Sequence, residues 1–387
     1  MPLQGATAST RDTQGVASLA LGYEEHWAFS PPLLNPKLEV LIRAVLIENA
    51  SSNGGTRPAS GIFQQPRPAL AYALVSDVKF KLKPHTMIIA VVVTYNRLTL
   101  LQRNISCLRA NRPVDRILVI NNGSTDGTAQ WLDTQADARL TVIHQDNVGG
   151  SGGFCRGIDE ACRMGADWVW CMDDDVFPRP DCLEQLLPHT ANPRIGLLAP
   201  RRLMEGEVYT NDFTGYDLVH PFRSLYTGKL RKLSQPVTAP TPIAGTAFEG
   251  PLIRVEAIRR IGLPNKALFI FCDDTDYCLR LHQAGYHMLY VPAALMDKQK
   301  FFSHDTWAAR NRKKKWKRFY QVRNTTYLNH HYGRNWAVRH LRGFLCVMGY
   351  MATALVTMPF ARAYTPSDLP RLWRAYRDGL AERLGKY

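Results

Sequence analysis

The chain has 387 residues, 45% hydrophobic and 21% charged, an ordinary globular balance that excludes a fibrous or wholly disordered protein. Its formal net charge is +15, and residues 301–387 hold 17 Lys/Arg against 4 Asp/Glu, so nearly all the excess sits at one end. Such an end suits nucleic acid, an anionic membrane surface or a polyanionic substrate. The eight cysteines (107, 155, 162, 171, 182, 272, 278 and 346) form no CxxC pair, which argues against a disulfide framework or zinc site and for a reducing compartment. The start, MPLQGATASTRDTQG, lacks the basic-then-apolar pattern of a signal peptide, and a cytosolic location is expected.

Residues 1–25 are small and polar. Residues 26–83 carry two apolar stretches, Leu38–Glu48 and Ala69–Phe80, about a Ser/Asn/Gly-rich linker, and residues 1–83 read as a poorly ordered start plus a small accessory unit. From Met87 the pattern sharpens. MIIAVVVTY, RILVI (116–120), LTVIH (140–144) and WVWCM (168–172) read as buried strands, separated by helices over Leu98–Arg109, Ala129–Asp133 and Cys155–Met164. That alternation predicts an α/β fold with a mostly parallel central sheet, and ligands bind outside the carboxyl ends of such strands. Every polar or glycine-rich motif follows a strand.

WVWCM runs into three aspartates. Hard divalent cations such as Mg²⁺ or Mn²⁺ take carboxylate oxygens, and alternate residues project alike, so Asp173 and Asp175 can converge while Asp174 points elsewhere. The competing reading is a solvated turn before a helix. NVGGSGGF (147–154) is either a flexible turn or backbone opened for phosphate, and it fits neither GxGxxG nor GxxxxGK[ST]. NNGSTDGT (121–128) is either a tight loop with Ser124, Thr125 or Asp126 as cap, or a nucleoside contact. In FIFCDDTDYCLR, Asp273 and Asp274 suit general-base work, whereas Asp276 reads as a first-turn charge favourable to the helix dipole. His304 alone is weak evidence for a metal ligand.

Residues 309–324, basic and aromatic, read as a solvated face, an interfacial helix or a nucleic-acid patch. Gly343–Phe360 has no charge for 18 residues. A helix lying on the inner leaflet is preferred there, ahead of a buried core helix and a single span. A charged helix over Asp368–Leu384 ends the chain.

Taken in order, TYNR (94–97), NNGSTDGT, NVGGSGGF, W-x-W-x-MDDD-x-x-P and FCDDTDYCLR resemble inverting family 2 glycosyltransferases of the GT-A fold over about residues 87–305. Within that family they look most like bacterial galactofuranosyltransferases, with rhamnosyltransferases close by. The resemblance implies a Rossmann-like GT-A domain over 84–305 and a basic, helical, membrane-associating region over 306–387. It implies Thr94, Asn96 and Arg97 at the nucleotide, Asn121 near the base, and Asp174 on the donor side. Asp173, Asp175 and His304 would hold Mn²⁺ or Mg²⁺, and Gly152, Gly153 and Phe154 would wall the donor sugar. Asp274 would be the general base with Asp273 beside it, and Trp307 would stack on acceptor. Many family members have Asp where this chain has Asn121, which leaves uridine specificity less secure. The implied partners are a nucleoside-diphosphate sugar, a glycan or lipid-linked acceptor and the inner membrane surface, without nucleic acid. The alternatives are a dTDP-rhamnose transferase, a nucleotidyltransferase, or a non-enzymatic nucleic-acid-binding protein.

Overall fold

The computed structural model describes residues 85–387, apart from 210–211, 231–236, 302–305 and 362–363 and the side chains at 307–308 and 360–361. The expected accessory unit within 1–83 therefore lies outside the described residues. So does His304.

IIAVVVT forms β1 (Ile88–Thr94), buried along its whole length. Its odd residues 89, 91 and 93 face one core and its even residues 88, 90 and 92 face another. This is the two-residue period of a strand covered on both faces. Then follow α1 (Leu98–Ala110), β2 (Arg116–Asn121), α2 (Thr128–Asp133), β3 (Leu140–His144), α3 (Gly149–Arg163) and β4 (Trp168–Asp173). After β5 (Val176–Pro178) and α4 (Cys182–Leu186) come β6 (Ile195–Met204), β7 (Glu207–Val208), β8 (Phe213–Tyr216), β9 (Tyr226–Lys229), β10 (Thr241–Ile243) and β11 (Leu252–Arg254). The remainder is α5 (Val255–Ile261), α6 (Asp273–Gln283), β12 (His287–Lys298), α7 (Trp307–Tyr332), α8 (Gly343–Ala361) and α9 (Asp368–Leu380).

One ten-stranded sheet runs β10-β12-β6-β11-β4-β1-β2-β3, with β5 on β12 and β7 on β6. The pairs β3-β2, β2-β1, β1-β4 and β6-β12 are parallel, while β11 is antiparallel to both neighbours. The mostly parallel sheet predicted from the alternation is present. Its parallel strands end together at Thr94, Asn121, His144 and Asp173.

The helix expected over Cys155–Met164 starts six residues earlier, at Gly149. The glycine-rich run is thus a helical turn rather than a free loop. A Cβ on Gly153 or Gly157 would come within 2.5 or 2.4 Å of the Val93 or Val91 side chain, so the glycines let α3 press onto β1.

The C-terminal helices build a core of their own, including Phe319, Val322, Val347, Tyr350, Ala354, Leu372 and Tyr376. Within α8 the buried set Val347, Tyr350 and Ala354 recurs at helical spacing. The opposite face leaves Leu345, Met348, Leu355 and Val356 exposed, the last at 69%. A fully buried helix is excluded. With the preceding turn, Ala337–Pro359 is long and apolar enough to cross a membrane, and 28% of its most apolar window is buried.

Candidate active site

The strand ends carry the chemistry. β4 stops at Asp173, so Asp174 and Asp175 lie in a turn and the alternation of a strand no longer governs them. Asp174 accordingly does not point away from Asp175. Thr94 Oγ1 donates to Asp174 Oδ2 at 2.8 Å, and Arg97 Nη1 donates to Asp174 Oδ1 at 2.9 Å and Asp175 Oδ2 at 3.2 Å. Lys298, at the end of β12, places Nζ 3.0 Å from Asp175 Oδ1 and 2.9 Å from Glu249 Oε1. Behind it, Arg202 lies 3.6 Å from Glu249 and 2.7 Å from Asp212, with the Arg202 and Asp212 side chains fully buried. Two cations thus relieve the repulsion among three carboxylates.

Asp173 is the least compensated. It has no hydrogen bond or ion pair among the described residues, and burial pushes its carboxyl well above the usual range, Asp175 adding to the effect and Lys298 opposing it. A carboxylate short of positive charge beside Asp175 fits a hard divalent cation that takes its other ligands from phosphate and water. No group of three or more metal-ligating side chains assembles among the described residues.

The second acidic pair opens α6. Phe269, Phe271 and Cys272 all take positive φ, at 65°, 68° and 67°, conformations that cost non-glycine residues about 1–3 kcal/mol each. Asn324 of α7 holds them there, its Nδ2 donating to the carbonyls of Leu268, Ile270 and Phe271 at 3.0, 2.9 and 2.9 Å. Arg323 adds a bond to Leu268 O at 2.9 Å. The turn delivers Asp273 and Asp274 to the helix start. Asp274 accepts from Thr275 N at 2.6 Å, yet burial, then the charge of Asp273, raise its pKa. Glu249 acts electrostatically on both Asp173 and Asp274, so the two acidic clusters lie within reach of one carboxylate. Asp276 is pinned by Arg280 at 3.0 Å and the Tyr332 hydroxyl at 2.7 Å, the structural role expected of it.

The other predicted residues sort differently. Asn96 ties β1 to the next loop, its Oδ1 accepting from Thr125 N at 2.6 Å. Asp126 caps there, accepting from Leu98 N at 3.0 Å and Thr128 N at 3.2 Å. Asn121 is 2% exposed; its Oδ1 accepts from Ser124 N at 3.1 Å and its Nδ2 lies 3.0 Å from His144 Nδ1. His144 Nε2 is 3.2 Å from Asp133, which selects the tautomer protonated there. Among the described residues the Asn121 oxygen accepts the one hydrogen bond from Ser124 N. Gly152 and Gly153 are buried in the first turn of α3. Phe154, 4% exposed, turns into the core against Phe248, ring centroids 5.0 Å apart, and not toward the carboxylates. Trp307 opens α7. Glu249 and Lys298 escaped the sequence reading, because only the strand order brings them to the aspartates.

Residues 89–261 match the family model described as glycosyl transferase family 2. These residues form a family 2 domain, and the protein is a glycosyltransferase. The chain is 27% identical over 210 residues to the galactofuranosyltransferase GlfT1 of Mycolicibacterium smegmatis, covering 52% of this chain and 67% of that one. It is 28% identical to a pre-mycofactocin glycosyltransferase of Mycobacterium tuberculosis, over 58% of this chain but only 45% of the other. It is 29% identical to an N-acetylglucosaminyl-diphospho-decaprenol L-rhamnosyltransferase of the same species, over 53% and 73% of the two chains. The glycosyltransferase expectation stands, and a nucleic-acid-binding protein without enzymatic activity does not.

Proposed function

We propose that this glycosyltransferase moves a galactofuranosyl residue from UDP-galactofuranose, with inversion, onto a glycan or polyprenyl-diphosphate-linked acceptor. The observation that carries the reading is that Asp173 and the raised-pKa Asp274 both lie within the electrostatic reach of Glu249, itself tied through Lys298 to Asp175. Arg97 and Thr94 fix the aspartate turn beside the diphosphate, and Asn121, at the end of β2, stands near the base. Asp173 and Asp175 would hold Mn²⁺ or Mg²⁺, with His304 as a further ligand; the ion would supply positive charge for the departing diphosphate. The acceptor hydroxyl oxygen forms the new bond to the anomeric carbon, its proton passes to Asp274, and the donor C–O bond breaks with its electron pair leaving on the nucleoside diphosphate.

Melting curves with Mn²⁺ and a panel of UDP- and dTDP-sugars test the donor. UDP-galactofuranose is expected to stabilise, by about 2.7 kcal/mol at a hundredfold excess over Kd. Stabilisation by dTDP-rhamnose alone would support the rhamnosyl reading, which the similarity to the rhamnosyltransferase keeps open.

The same reading places the protein at the inner face of the membrane. Its support is the exposed stripe Leu345, Met348, Leu355 and Val356 with Trp336 and Trp373 nearby, beside the basic Arg339, Arg371 and Arg374. Flotation with anionic vesicles but not neutral ones is the expected result.

A further inference from the structure

α7 reaches the acidic centre by more than its grip on the strained turn. Lys317 precedes Asn324 by seven residues, two helical turns, and so lies on the same face of α7. Its Nζ stands 5.9 Å from the ring centroid of Phe271, the half-exposed aromatic of that turn, and 5.5 Å from that of Trp316. The side chain is partly buried, and among the described residues no hydrogen bond or ion pair engages the ammonium. Burial lowers its pKa, and the charges of Arg97, Asp173 and Asp175 all reach it. The other two cations at this centre are spent: Arg97 on Asp174 and Asp175, Lys298 on Asp175 and Glu249.

An unpaired, partly desolvated ammonium is costly unless an anion arrives to meet it. The substrate must bring one. We propose that Lys317 is a further donor-binding residue, its ammonium meeting the diphosphate of the nucleotide from the α7 side of the cleft, across from Asp173 and Asp175. The inference rests on the nucleoside-diphosphate-sugar reading above. It makes α7 part of the donor site.

Calorimetric titration of the full chain with UDP and with uridine, in Mn²⁺ buffer, separates phosphate recognition from base recognition. Lys317→Ala is expected to weaken UDP roughly tenfold or more, the scale of one charge-assisted hydrogen bond, and to leave uridine unchanged. Lys317→Arg should restore most of the UDP affinity, and the ligand-free melting temperature should stay within about a degree, as for a partly exposed substitution. UDP affinity within twofold of wild type in Lys317→Ala would overturn the assignment. A rise confined to the KM of a polyprenyl-diphosphate acceptor would overturn it too, moving Lys317 to the acceptor. Wild type that fails to prefer UDP over uridine would instead sink the donor reading, and the inference with it.

Discussion

Asp274 and Asp276 are two residues apart and do opposite work. Asp276 is held by Arg280 and Tyr332, whereas among the described residues Asp274 meets only its own Thr275 and is pushed by burial and by Asp273 to about 7. As a base it must be ionised, so kcat/KM should climb with pH along a limb near neutrality, far above that of an ordinary carboxylate. Asp274→Asn should flatten that limb and lower kcat by about a thousandfold, within the range general-base loss commonly costs, with KM little changed. The stability sign is also fixed. A raised folded-state pKa means that ionisation costs the folded chain stability, increasingly as pH rises from the ordinary carboxylate range through the raised value. Asp274→Asn is therefore expected to raise the melting temperature at pH 8 more than at pH 4, measured by calorimetry in both buffers. Lys298 is the reverse case. Lys298→Met leaves Asp175 and Glu249 without their shared cation and should lower urea-unfolding stability by about 3–5 kcal/mol, as when one partner of a buried pair is removed.

At the level of elements, the turn before α6 and the first turn of α3 decide how the site is built. Asn324→Ala removes one amide that serves three carbonyls, so about 1–3 kcal/mol of stability should be lost in urea titration. kcat should fall further than that loss explains, because the turn carrying Asp274 is no longer fixed. Gly153→Val should cost about 1–3 kcal/mol through overpacking against Val93. These two places also mark what the chain's pattern of residues could reveal. The strands were legible because β-branched runs and their polar ends survive any tertiary detail, and the aspartate triplet declared itself by position. The start of α3 was not, since glycine signals a turn until the neighbour it must approach is known. Asn324, Lys298 and Glu249 were invisible for the same reason: each acquires its role from a partner far along the chain, 54 residues for Asn324 and Ile270, 123 for Lys298 and Asp175, 49 for Glu249 and Lys298.

For the molecule as a whole, the charge asymmetry and the half-buried α8 belong together. Leu345→Glu with Val356→Glu should abolish flotation on anionic vesicles and leave UDP binding in solution unchanged, since both residues point away from the C-terminal core. The network around Lys298 carries a different consequence. Asp175 is covered by a tethered ammonium and a guanidinium, so the chain brings its own counter-ions to this carboxylate. Chelator should stop turnover without shifting the melting curve, and a divalent ion offered alone should find little to hold. Starved of manganese, such an enzyme would idle intact, ready to restart when ion and nucleotide return together.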